Sequence, residues 1–210
     1  MAIERSIHPE RLSLGNLNIG IIGAEGSGKT TVAQMLKNVT GKVTFSTGDI
    51  VRDLAQNDTS EIGDKCRQIL TEHVYLDGAT LLKIVQKRID NPDTRNGFIV
   101  DGAFRTVEEI KGWPEVLKKA GRDSSVIVVH LHAPNDICVQ RLLSGSRHRE
   151  DDTPEGIARR HLEFYGNLNE RLEAIQQQKG WKILNIDTTE CTWEVFFTVK
   201  QVLRKHVPAK

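Results

Sequence analysis

Residues 23–30 read Gly-Ala-Glu-Gly-Ser-Gly-Lys-Thr, and no other stretch of this 210-residue chain restricts its fold as tightly. The segment satisfies G-x-x-x-x-G-K-[ST]. The apolar run Leu17 to Ile22 precedes it, and Val32, Ala33, Leu36 and Val39 follow at helical spacing. A buried strand, a glycine-rich turn and a helix in that order build a cradle for phosphate. Glycines let successive backbone N–H groups curl around one anion, and the helix start adds the positive end of its dipole.

Within such a cradle Lys29 would reach the β- and γ-phosphates of ATP, and the Thr30 hydroxyl would face magnesium. Gly23, Glu25, Gly26, Ser27, Gly28 and Thr31 complete the expected ATP-binding loop. Glu25 runs against this chemistry, because its charge repels a polyphosphate. It points either to solvent or to a nearby arginine. A loop of this kind specifies a nucleotide, not a reaction.

The remaining pattern extends the strand–helix order. Short apolar runs at Val43 to Ser46, Phe98 to Val100, Val126 to Leu131 and Lys182 to Ile186 read as strands, the β-branched run Val126 to Leu131 lying centrally. Two or three helices fill 49–90, with Leu81, Leu82, Val85 and Ile89 facing inward. Asn135 caps a helix to about Leu143. Thr153 caps another, with Pro154 at its first position, running on to about Gln178. Thr192 to His206 closes the chain as a helix. Alternation of this kind predicts an α/β fold, a P-loop NTPase-type parallel sheet of about five strands with helices on both faces. One domain spans 17–206, behind a loosely held polar leader over 1–16. The polar stretch 144–152 reads as a basic flap.

Composition excludes several classes. The formal net charge is +1, which leaves no whole-molecule field to draw nucleic acid or anionic lipid. No apolar run approaches the length of a membrane span, and the first residues lack the apolar stretch of a signal peptide. Cys66, Cys138 and Cys191 stand far apart with no Cys-x-x-Cys pair, so zinc is not expected and a reducing, cytoplasmic setting is. A monomer is the default. His130 and His132 alternate on one strand face, and Trp113, Trp181 and Trp193 are scattered. Packing or a helix-facing hydrogen bond is the expected use of the two histidines, and core or interface that of the three tryptophans.

Three further segments narrow the reaction: Phe45 to Arg52, Asn96 to Thr106, and Arg141 through Arg149, Asp151 and Asp152 to Arg160. Together with the loop, and in this order, they make the chain resemble the nucleoside monophosphate kinases, adenylate kinase most of all, over about 17–206. The resemblance implies transfer of the ATP γ-phosphoryl to a nucleoside monophosphate, with Mg2+ beside ATP. It implies an acceptor-binding segment over about 47–78 and a short lid over about 144–152. Thr47 and Arg52 match its acceptor-binding segment, and Asp77 and Gly102 fall in its acceptor side. Arg105 matches the arginine on the acceptor phosphate. Arg141, Arg149 and Arg160 match those that close over the transferring group. Asp101 matches the acid beside magnesium, often through water, and Asp151 and Asp152 match paired acids after the lid. Such a transfer needs positioned cations and a metal rather than a nucleophile, and guanidinium forks grip two phosphate oxygens at once.

The departures cluster on the acceptor side. Gly102-Ala103-Phe104-Arg105 stands for Gly-Phe-Pro-Arg, and Val74-Tyr75-Leu76-Asp77 for Val-Pro-Asp. Glu109 stands where adenylate kinases carry glutamine. A carboxylate accepts only, which suits the two N–H donors of guanine better than adenine. Equally, Thr106-Val107-Glu108-Glu109 fits a capping box. Arg160 also reads as a solvated helix residue, and Asp151 and Asp152 as helix caps. AMP is the expected acceptor on resemblance. GMP, CMP, UMP or another small acceptor is the alternative, as is a nucleotide-binding regulatory protein with a degenerate acceptor site.

Overall fold

A computed structural model describes residues 11–72, 74–144 and 153–207. Five strands form one parallel sheet: β1 (Asn18–Ile22), β2 (Val43–Ser46), β3 (Phe98–Asp101), β4 (Val126–His132) and β5 (Trp181–Asp187), in spatial order β2-β3-β1-β4-β5. Every residue of β1 is buried, as a continuous apolar run covered on both faces requires. The strand of strongest β-branching, β4, is interior but next to the edge; the middle place belongs to β1. Two apolar clusters, one on each face, hold the helices. One gathers Phe98, Phe104, Trp113 and Val128, the other Ile19, Ile21, Leu36 and Leu131. Each fully buried aliphatic side chain contributes about 1.5–3 kcal/mol relative to exposure.

Nine α-helices occur among the described residues. α1 (Lys29–Thr40) buries Val32, Ala33, Leu36 and Val39, the expected face, and ends in a left-handed Gly41. α2 (Thr47–Asn57), α3 (Glu61–Glu72) and α4 (Gly78–Ile89) fill the segment between β2 and β3, followed by a 3-10 turn at Pro92–Thr94. α5 (Val107–Lys119) and α6 (Asn135–Ser144) precede and follow β4. α7 (Pro154–Gly166) has Thr153 as its cap, its hydroxyl accepting from Gly156 N at 3.0 Å. α8 (Leu168–Gln176) and α9 (Thr192–Arg204) complete the chain. None of these helices is long and apolar enough to cross a membrane.

Three local expectations change. The single long helix from Pro154 is two, broken where Asn167 leaves helical geometry. The break lets Arg171 turn inward, where it donates to Phe164 O at 2.8 Å and so closes the end of α7. Asn135 is the first helical residue rather than a cap, and its side-chain oxygen faces His161 Nδ1. The expected leader is not loose throughout: Leu12 and Leu14 are buried, and Leu12 N donates to Val39 O at 2.9 Å.

The register brings three strand ends level. Ile21 and Ser46 both pair with Asp101. The chain moves from β1 outward to β2, returns through β3, then crosses to β4 on the other side. That reversal puts a crevice at the carboxyl end of β1, where open parallel sheets bind ligands.

Candidate active site

The glycine-rich loop leaves β1 at this crevice. A Cβ on Gly23 would lie 2.5 Å from Leu131 O, and one on Gly26 2.2 Å from Cys138 O. Gly26 and Gly28 also hold left-handed φ values of 85° and 90°. No side chain caps α1 at Gly28, so its first N–H groups stay available to an anion. Lys29 Nζ curls back to donate to Gly23 O at 2.7 Å and Ala24 O at 2.8 Å.

Thr30 Oγ1 donates to Asp101 Oδ2 at 2.7 Å, while Asp101 Oδ1 is buried with no hydrogen-bond partner among the described residues. A hydroxyl and an orphaned carboxylate oxygen beside a phosphate loop are the hard oxygen donors that Mg2+ accepts. No group of three or more His, Cys, Asp or Glu stands together among the described residues. Magnesium needs only one or two such carboxylates, with phosphate and water supplying the rest. Thr30 and Asp101 therefore fit that ion.

A cavity of about 620 Å³ opens over the loop. The residues from Glu25 to Val32 form its floor, Thr31 included, and Ser46, Asp101 and Gly102 one wall. Arg141 lines it too, anchored by donating to Thr188 O at 2.7 Å. The far wall is Leu142 with Thr188, Cys191 and Val195, the connection from β5 into α9. The sequence gives little sign of that wall, which joins the site only because β5 pairs with β4.

A second cavity of about 80 Å³ adjoins it. Thr47, Arg52, Arg105 and Arg160 rim it, and Val51, Ile69, Leu70, Val74, Leu76 and Leu81 give it apolar walls. The two cavities share Glu25, Gly48, Arg52 and Arg105. The guanidinium groups of Arg52 and Arg105 flank Gly48: a Cβ there would lie 3.4 Å from both Nη atoms of Arg52 and 3.6 Å from Arg105 Nη2. Arg52 also pairs with Asp49. Arg105 is aimed by several contacts. Its Nε donates to Gly102 O at 2.7 Å, and its guanidinium lies over the Tyr75 ring at 4.6 Å. Thr47 Oγ1 donates to the same carbonyl at 2.7 Å. Burial pushes the Tyr75 hydroxyl up to about 12, so the ring stays neutral under that cation. Tyr75 was not among the expected site residues, and the altered acceptor segment was its only signal.

Glu109 lines neither cavity. It is fully buried. Its Oε1 accepts from Phe104 N at 2.8 Å and Trp113 Nε1 at 3.0 Å, and its Oε2 from Arg105 N at 2.7 Å. Thr106 Oγ1 accepts from Glu109 N at 3.0 Å, which is half of a capping box. The other half is displaced, because the carboxylate returns to Phe104 and Arg105 rather than to Thr106. Phe104 sits at φ 61° and needs that hold. Asp77 likewise serves as the cap of α4, accepting from Thr80 N at 2.8 Å, and does not line the acceptor cavity. Arg160 is buried at the cavity rim, not solvated. Arg149, Asp151 and Asp152 lie outside the described residues.

Glu25 does not point to open solvent, its Oε2 being buried. It lies against both cavities, beside Lys29, Arg105 and Arg160. Its backbone oxygen is 2.9 Å from His161 Nε2, a tie between α7 and the loop that nothing in the sequence announces. His130 and His132 share a face, with His130 buried at 2.9 Å from Asn185 Oδ1. Trp113 and Trp181 are core, whereas Trp193 is 64% exposed.

A phosphate cradle at the switch point of a parallel sheet, facing a second cavity rimmed with arginine, defines a P-loop phosphotransferase. The family model described as adenylate kinase matches residues 21–180. An adenylate kinase of Trichodesmium erythraeum is 31% identical over 188 residues, covering 88% of this chain and 96% of its own. One of Thermosipho melanesiensis is 28% identical over 90% of this chain and 100% of its own. One of Xanthomonas campestris pv. campestris is 29% identical over 89% and 99%. The chain belongs to the adenylate kinase family and is an enzyme of the nucleoside monophosphate kinase class.

Proposed function

We propose that the enzyme transfers the γ-phosphoryl of ATP to AMP, giving two ADP. The meeting of two cavities at Gly48, Arg52 and Arg105 carries this reading, since donor and acceptor phosphates entering them would converge above Lys29. In this account Lys29 and the loop N–H groups, from Gly23 to Thr31, hold the donor phosphates. Arg52 and Arg105 hold the acceptor phosphate, with Thr47 and Gly102 fixing the Arg105 side chain. Arg141 and Arg160 neutralise charge on the transferring group, joined by Arg149 from the lid. Thr30 and Asp101 would hold Mg2+, which would neutralise part of the negative charge of the phosphates. Closure of the lid would exclude water, so that ATP is not hydrolysed without an acceptor. The domain is 17–206, with its acceptor-binding segment over 47–78 and its lid over 144–152.

In this reading the partners are ATP and a nucleoside monophosphate, and the enzyme acts as a monomer. Three free thiols support a reducing, cytoplasmic setting.

A second reading, a kinase for another nucleoside monophosphate, is favoured by one observation. The position that carries glutamine in adenylate kinases holds Glu109, buried and already accepting three hydrogen bonds. Incubation with Mg-ATP and each of AMP, CMP, GMP and UMP separates the two. AMP is expected to give the highest kcat/KM. A higher value with another monophosphate selects the second reading, and no diphosphate with any of the four removes both.

A further inference from the structure

Glu25 is the one acidic side chain on the floor of the phosphate cradle. It lines the donor cavity, the acceptor cavity and a small third hollow between Lys29, Tyr75, Arg105 and Arg171. Its Oε2 is buried and makes no hydrogen bond among the described residues. Burial pushes the Glu25 carboxyl up, yet Lys29, Arg105, a hydrogen bond from its own backbone N–H and Arg160 together outweigh it and hold the group below its ordinary value. It is therefore ionised at neutral pH. The surrounding groups match this: Tyr75 stays neutral, while the Glu163 carboxyl is raised, first by burial and further by Glu25.

An anion among three cations that suit phosphate competes with phosphate for them. Once a phosphate sits on Arg105 and Arg160, the carboxylate loses its partners and meets a like charge instead. We propose that Glu25 is a stand-in anion, which offsets part of the charge of Lys29, Arg105 and Arg160 in the empty enzyme and is displaced by the acceptor phosphate. This rests on the reading of the site as a phosphoryl-transfer centre. Glu25 then weakens acceptor and product binding alike, keeps the cations from trapping free phosphate, and speeds release. The role differs from that of a substrate contact, which would tighten binding.

The test is calorimetric binding of AMP and of inorganic phosphate to the wild type, Glu25→Gln, Arg105→Met and the double variant. Glu25→Gln is expected to bind both ligands at least about tenfold more tightly, as removal of a like charge at close range does. The gain should vanish in the Arg105→Met background, which shows that it acts through the cation cluster. In turnover, KM for the acceptor should fall together with kcat as release slows. Unchanged or weaker binding of both ligands in Glu25→Gln overturns the inference. Glu25→Ala carries the same prediction should the amide variant not fold. The phosphate arm does not depend on the acceptor base. Tighter phosphate binding with no turnover on any monophosphate would keep this inference and reject the proposed function; normal turnover with unchanged affinities would do the reverse.

Discussion

The Glu109 carboxylate accepts the backbone N–H of Arg105 at 2.7 Å. The start of α5 thereby fixes the loop that aims a phosphate-binding arginine. Glu109→Gln keeps the shape but turns an NH2 group toward donors that need an acceptor. The cost is about 1–3 kcal/mol, read as a melting temperature lower by roughly 2–12 °C. Acceptor preference among the four monophosphates should not change. A shift toward AMP at unchanged melting temperature would return Glu109 to base reading.

Lys29→Met removes the ammonium charge from the cavity floor and its two hydrogen bonds to the carbonyls of Gly23 and Ala24. Turnover should fall by about 10²–10³ or more, while circular dichroism stays that of the wild type. Near-normal turnover would move the reaction away from this loop.

How much of this was legible in the sequence depends on distance along the chain. The loop, its strand and α1 follow from a contiguous pattern, and so do the Thr153–Pro154 helix start and the inner face of α1. Arg171 was not legible. A charged residue in a polar helix reads as solvated, yet Arg171 is buried, donating to Phe104 O at 3.2 Å across 67 residues. Glu109 offered two uses at one helix start, and only the packing of Phe104 and Trp113 around it chose a third. The wall Thr188 to Val195 reaches the site through sheet pairing alone.

Asp101→Asn still offers an oxygen to Thr30 Oγ1, so the fold should hold. The variant loses the negative charge that suits Mg2+. Turnover should drop by about 10²-fold and recover in part as magnesium is raised. Full activity at low magnesium would place the ion elsewhere.

Lys42 gives a pH signature independent of catalysis. Burial pulls its ammonium down to about 8, with Nζ donating to Gly15 O at 2.8 Å and Asn96 O at 2.7 Å. Below pH 8 both folded and unfolded chains carry this proton. Between about 8 and the ordinary 10.5 the unfolded chain binds it more, so stability contributed here rises with pH. Urea melts at pH 7 and 9.5 should show the wild type gaining stability relative to Lys42→Met at the higher pH. An equal change in both would mean that Lys42 titrates normally.

The most direct measurement follows the phosphoryl group itself. ATP labelled at its γ-phosphorus is incubated with AMP, magnesium and the enzyme, and the products are separated. The account predicts label in the β-phosphate of ADP, in step with AMP consumed. Label released as inorganic phosphate, or retained in ATP with AMP untouched, would contradict it.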